Sequence, residues 1–258
     1  MRKLNRWYVF IVRMLRWFDF YYAKKLSKEK KRMAKVERSD LNMDLLYESY
    51  RLKMEWIKQV CSAGQFDEMD IENYHGTDKR GADAFAEMCR PKDEIARNVA
   101  SFMKTFKIDS AQKGEELGMI TQGVKEGVIG LCPHHLLPVK YQVFVSYIPK
   151  KGEDAKVLGL SKLTRLAREI CKYPMLQEHF AKNLADCLYK GNDWLTGVNS
   201  AGSAVMVIGA HGCMACRGVM ANSPTASVEL RGCYKENGLE QKFYKQVEAI
   251  RSAESFTW

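Results

Sequence analysis

Two short segments about eighty residues apart constrain this chain more than anything else in it: Cys132-Pro133-His134-His135 and His211-Gly212-Cys213. Each follows a run of residues that reads as β-strand. Together they offer two thiols and an imidazole, with two further imidazoles beside them. Cys132 and His135 are three apart, a spacing that lets both side chains reach one ion, and Cys213 would arrive from a second strand pair. Three N/S donors with a fourth position open to water is the arrangement of a catalytic zinc, so a hydrolytic metalloenzyme is the first expectation. Any one of these cysteines alone reads as a small buried hydrophobe. Three of the five histidines lie in the same two segments, and that argues against the bland reading for the set. Cys216, three residues after Cys213, leaves open a fourth ligand or a redox dithiol.

The flanking pattern predicts an α+β chain. Apolar residues at Leu45, Leu46, Tyr50, Met54 and Ile57 have helical spacing. Residues 63–83, with Gly64, Gly76 and Gly81 among polar residues, read as loop. Pro91 followed by Asp93 and Glu94 starts a helix that is expected to reach Phe106. The run from Tyr141 to Ile148 is a strong strand closed by Pro149. Ser161 can cap a helix to about Tyr173; Pro174 breaks it, and a second helix runs from Met175 to about Tyr189. Ala204–Ile208 and Thr225–Leu230 are further strands, and Leu239–Arg251 is a last helix. Strands met in pairs with helices between them imply an antiparallel sheet.

The formal net charge of +10 resembles a nucleic-acid signal until it is located. Residues 1–38 carry thirteen Lys/Arg and three acids, so the remaining residues sum to zero. The basicity belongs to an N-terminal extension, and no nucleic acid is expected to bind the body. Within that extension the apolar run Trp7–Tyr22 is broken by Arg13, Arg16 and Asp19, too short for a membrane span and without a signal-peptide cleavage site. A helix docked on another subunit, or an upstream extension with the functional start nearer Met33, is favoured over a membrane-surface helix. The partner of this tail is unknown. Eight cysteines in no regular framework point to free thiols in a reducing, cytoplasmic setting. Three segments are expected: the extension 1–38, a helical region 39–110 and a catalytic domain 111–258.

Two weaker constellations follow the thiols. Lys162 and Arg165 share a helix face just after Ser161, and Arg217 follows the second thiol segment. Such cations can clamp a triphosphate, although alone they read as a solvated face. Gln177-Glu178 opens a helix, where an amide and a carboxylate can read a purine edge; alone, the pair reads as helix-terminus electrostatics.

These fragments, in this order, resemble GTP cyclohydrolase I. The matching stretches are Leu131-Cys132-Pro133-His134-His135-Leu136-Leu137-Pro138, Tyr147-Ile148-Pro149, Gly159-Leu160-Ser161-Lys162-Leu163-Thr164-Arg165, Gln177-Glu178, His211 to Val219 and Ser223 to Ser227. The resemblance covers roughly residues 90–252. It implies a tunnelling fold in which two helices separate strand pairs, assembled as stacked rings in a decamer-like homo-oligomer with active sites between subunits. It also implies zinc on Cys132, His135 and Cys213, with His134 and His211 handling protons. Ser161, Lys162, Arg165 and Arg217 would hold the triphosphate of GTP, and Gln177 and Glu178 the guanine. The implied product is 7,8-dihydroneopterin triphosphate, with formate released.

Two departures stand out. Pro133 replaces a Glu common in the family, and Glu94 falls where the family carries an Arg that contacts phosphate; Arg90 and Lys92 are the nearby cations that could take that role. Competing readings are a tunnelling-fold relative acting on another purine or pterin, and a structural-zinc protein whose basic tail binds nucleic acid or membrane. The latter requires a closed four-donor site that uses Cys216.

Overall fold

A computed structural model describes residues 38–62, 64–107, 118–152, 155–236 and 238–253. The basic extension therefore lies, but for Arg38, outside the described residues. Contacts divide the chain into two compact units, Met1–Asp83 and Ala84–Trp258.

In the first unit, α1 (Arg38–Trp56) runs into a π-helical turn, Ile57–Cys61. Two helices follow where a loop was expected: α2 (Glu68–Tyr74) and α3 (Thr77–Met88). A capping box starts α2, with the Asp67 carboxylate accepting from the Asp70 amide at 2.8 Å while the Asp70 side chain returns to the Asp67 amide. Gly81 does not break α3, because its missing side chain is the space the Tyr50 ring occupies; a Cβ there would lie 2.6 Å from that ring. Tyr47 donates to Asp83 at 2.8 Å, a second tie between α1 and α3.

The second unit takes in the last turn of α3 from Ala84 and continues with α4 (Lys92–Phe102), which ends earlier than expected because residues 105–107 form strand β1 (Thr105–Lys107). β2 (Ile120–Val124), β3 (Ile129–Leu131), β4 (Pro138–Ile148) and β5 (Lys156–Leu158) follow. After them come α5 (Leu160–Ile170), α6 (Gln177–Leu188), β6 (Gly202–His211), the single turn α7 (Gly212–Ala215), β7 (Thr225–Gly232) and α8 (Leu239–Ser252). Gly159, not Ser161, occupies the cap position of α5, with no side-chain bond. Every strand pair is antiparallel, and the expected α+β class holds.

β4 is the spine of the five-stranded sheet. β2 and β3 share one of its edges, and β6 pairs along the other from Val139↔His211 to Ile148↔Gly202. Alternation along β4 sends Tyr141, Val143, Val145 and Tyr147 to one face and Phe144 to the other. The first face is covered by α5 and α6 through Leu163, Leu166, Ile170, Phe180, Leu184 and Leu188, and the second by Tyr234 with Phe243 and Val247 of α8. Each such side chain, fully buried, contributes about 1.5–3 kcal/mol of transfer free energy. Among the described residues no helix is long and apolar enough to cross a membrane.

Candidate metal centre and active site

The register of the sheet explains why two segments so distant in sequence meet. β3 and β6 both run antiparallel to β4, on opposite edges of it, and both end at its start: Leu131 pairs with Pro138, and His211 with Val139. The residues that follow β3 and β6 therefore emerge at the same end of the sheet. The loop after β3 is held closed by Cys132 N–H on Leu137 O at 3.0 Å and Leu136 N–H on Cys132 O at 2.8 Å. Gly212 permits the close passage of α7, since a Cβ there would stand 2.8 Å from Pro138 O.

Cys132 Sγ and Cys213 Sγ lie 3.8 Å apart. One donor atom each from Cys132, His211 and Cys213 falls within a 4.8 Å group. His134 Nδ1 stands 3.9 Å from Cys132 Sγ. His135 is exposed on the same loop, its ring 6.4 Å from that of His134, and does not belong to the close group. Cys216 is exposed and also lies outside it, so the described donors form a three-membered set and not a closed four-membered one.

Burial pushes the Cys213 thiol up, and the neighbouring Cys132 adds to the shift, while the positive charge of Arg217 opposes it. Two thiols this close resist joint ionisation, and a divalent cation between them removes that resistance. The donor set thus fits zinc by its own chemistry. His211 is pulled below the usual imidazole range by burial, partly offset by the charge of Glu178.

His211 is also the most constrained imidazole. Its Nε2 lies 3.0 Å from Gln177 Oε1, and the Tyr141 ring presents its edge at 6.4 Å between centroids. Gln177 is 4 % exposed and its amide nitrogen faces Val207 O, Thr225 O and Ser227 Oγ at 3.2, 2.8 and 3.1 Å. Glu178, the next residue, is exposed.

The structure therefore brings together Cys132, His134, His211, Cys213 and Gln177, with Glu178 and Arg217 close enough to act by charge. Ser161, Lys162 and Arg165, at the start of α5, are not among these contacts. Among the described residues no hydrogen bond or ion pair links them to the thiol group, and Arg165 lies over the Phe102 ring at 5.9 Å. Of the two cations that the sequence offers near Glu94, Arg90 is bound to Glu94 and Glu169 at 3.1 and 3.2 Å. Lys92 lies over the rings of Tyr173 and Trp194. Sequence reasoning missed Gly209. A Cβ there would overlap Gln177 Oε1, and a lone glycine inside the strand pattern of β6 was the available signal of a close approach.

Comparison with known proteins identifies a family. The family model for GTP cyclohydrolase I matches residues 57–248. GTP cyclohydrolase 1 of Streptococcus pyogenes is 33% identical over 172 residues, which are 64% of this chain and 77% of the relative. The protein of the same name from Clostridium botulinum (strain Kyoto / Type A2) is 35% identical over 172 residues, 64% of this chain and 81% of the relative. A crystal structure of an archaeosine synthase QueF-Like in the apo form is similar at a TM-score of 0.34 and 16% identity, covering 46% of this chain and 97% of that one. The match spans most of the chain and includes both thiol segments, the cationic start of α5 and the Gln177–Glu178 end of α6: the chain is an enzyme of the GTP cyclohydrolase I family.

Proposed function

We propose that this chain converts GTP to 7,8-dihydroneopterin triphosphate with release of formate, using zinc held by Cys132, His135 and Cys213 in a tunnelling-fold homo-oligomer. The observation that carries the reading is the meeting of the Cys132 and Cys213 thiols at the common end of β3 and β6, with His211 beside them and His135 on the adjoining loop, in a chain of this family. His135 is taken as the third donor because it follows Cys132 on one short exposed loop, and because Gln177 already holds one nitrogen of His211.

Zinc bound there supplies Lewis acidity, which makes water acidic enough to serve as a nucleophile near neutral pH. His134 and His211 flank the thiols, and an imidazole carries both a proton donor and a proton acceptor on one ring. They are placed to deliver and remove protons at the purine ring nitrogens as C8 is hydrated, the imidazole ring opens and formate leaves. Ribose rearrangement and reclosure complete the pterin. At the N-terminus of α6, the Gln177–Glu178 end takes the guanine, with the Glu178 carboxylate accepting from its N–H and amino groups.

Ser161, Lys162, Arg165 and Arg217 hold the triphosphate, the Arg residues by paired hydrogen bonds and Lys162 as a point charge. Their grip on a part of the substrate that does not react fixes C8 at the reacting centre. Since the start of α5 has no described link to the thiols of its own chain, this reading assigns it to the site of a neighbouring copy, and active sites lie between subunits.

The test is direct. Zinc-loaded full-length protein incubated with GTP is expected to release formate and to yield, after oxidation, a fluorescent pterin in equal amount. Absence of both from a metal-replete oligomer would overturn the reading.

A further inference from the structure

Gln177 begins α6, yet its side chain is turned inward to the edge of the sheet. Its amide nitrogen faces two backbone carbonyls, Thr225 O at 2.8 Å and Val207 O at 3.2 Å, and the Ser227 hydroxyl at 3.1 Å. Carbonyl oxygens can only accept, so the NH2 end must lie there and the orientation of the amide is fixed by its surroundings. The opposite end is then an acceptor, and it stands 3.0 Å from His211 Nε2. Two acceptors at that distance repel. The contact is a hydrogen bond only when Nε2 carries the hydrogen, and the hydrogen on one ring nitrogen decides what the other can do.

We propose that Gln177 is a positioning residue, anchored by Val207, Thr225 and Ser227, that holds His211 as the Nε2–H tautomer, and that Glu178 alone reads the guanine at this end of α6. The first half concerns the chain itself; the second rests on the GTP reading above. Both amide hydrogens of Gln177 are spent on the sheet, so no donor remains for a purine. Nδ1 is left as the acceptor of the His211 ring, free to take a proton from substrate or water. The assignment is independent of whether His211 also approaches the metal, since the tautomer leaves Nδ1 available in either case. Tyr141 confines the ring from its edge, so the amide and the tyrosine together define its plane.

The wild-type full chain, metal-free and labelled with ¹⁵N-histidine, decides the tautomer at about pH 8, where the imidazole is neutral. Two-bond ¹H–¹⁵N correlations separate the tautomers, and His211→Asn identifies the His211 signals among those of five histidines. The Nε2–H pattern is expected; an Nδ1–H pattern overturns the proposal, whatever any variant does. Zinc-loaded Gln177→Met is expected to lose the single tautomer and to lower kcat about 10–100-fold, the usual cost of removing such a partner. Its KM for GTP should stay within about twofold, whereas Glu178→Gln should raise KM. A raised KM with kcat intact in Gln177→Met would make Gln177 the guanine reader and overturn the assignment. Should the wild type fail to turn over GTP, the functional reading falls, while the wild-type spectrum still decides the role of Gln177.

Discussion

Gly209 of β6 lies directly beneath the carboxamide of Gln177, so that a side chain at 209 would occupy the place of Oε1 and press on the Tyr141 ring 3.0 Å away. A glycine in a central strand is otherwise a cost, weakening pairing and packing nothing. Here it creates the space through which an α6 side chain reaches the end of β6. Gly209→Ala is expected to destabilise the fold by about 1–3 kcal/mol through overpacking. It should also disturb His211 without touching it. Urea unfolding gives the first quantity. The ¹⁵N signals of His211 report the second, and an unshifted spectrum would mean that the carboxamide tolerates the methyl group.

Arg90 separates fold from substrate binding. It donates to Glu169, a carboxylate that is 7 % exposed and also receives Asn98 Nδ2 at 2.7 Å. It reaches Glu94 as well, the residue at the place of the expected phosphate Arg. Removing the cation leaves Glu169 in a poorly solvated place with a single donor. Arg90→Ala should therefore cost about 1–3 kcal/mol of stability, with little change in KM for GTP. A KM raised tenfold or more at unchanged thermal stability would return Arg90 to the phosphate site.

The elements that position the site were legible because their periodicity survives burial. β4, β6 and β7 alternate or run apolar, and α5 repeats Leu163, Leu166, Ala167 and Ile170 on one face. α2 and α3 were not legible. Their signals are a capping box of two aspartates and a glycine that seats a tyrosine, and of α3 within the described side chains only Ala82 is fully buried. At the site, the meeting of Cys132 and Cys213 could be read from the spacing of two strand ends. The division of labour among His134, His135 and His211 could not, since it depends on side-chain rotation. Nor could the inward turn of Gln177, whose partners Val207, Thr225 and Ser227 lie 30 to 50 residues away.

Cys171 gives a pH dependence of defined sign. Burial pushes its thiol up to about 12, and its S–H donates to Ile129 O and Arg168 O at 3.3 Å each. A pKa of about 12 lies above the ordinary thiol value of 9.0, so the folded chain holds this proton more tightly than the unfolded one. The stabilisation is whole below about pH 9 and is lost as pH rises toward about 12, a loss on the order of a few kcal/mol. Stability measured by urea titration should fall across that interval, and Cys171→Ala should flatten the slope. Iodoacetamide at neutral pH should modify the exposed Cys61 and Cys216 well before Cys171.

His211 and His135 compete for one place, and metal content distinguishes them. In the structure His211 is the imidazole within reach of both thiols, whereas His135 is exposed on the 132–137 loop. A nitrogen already bound to Gln177 and a ring confined by Tyr141 suit proton transfer, which needs a fixed direction more than a further bond. His211→Ala is therefore expected to retain zinc after desalting and to lose turnover. His135→Ala should weaken zinc binding by more than the roughly 100-fold that loss of an outer partner costs. Cys132→Ala and Cys213→Ala should abolish retention, because each removes a thiolate on which the charge balance of the site depends. Zinc lost from His211→Ala and retained by His135→Ala would exchange the two assignments, leaving the dithiol pair at the centre of the site.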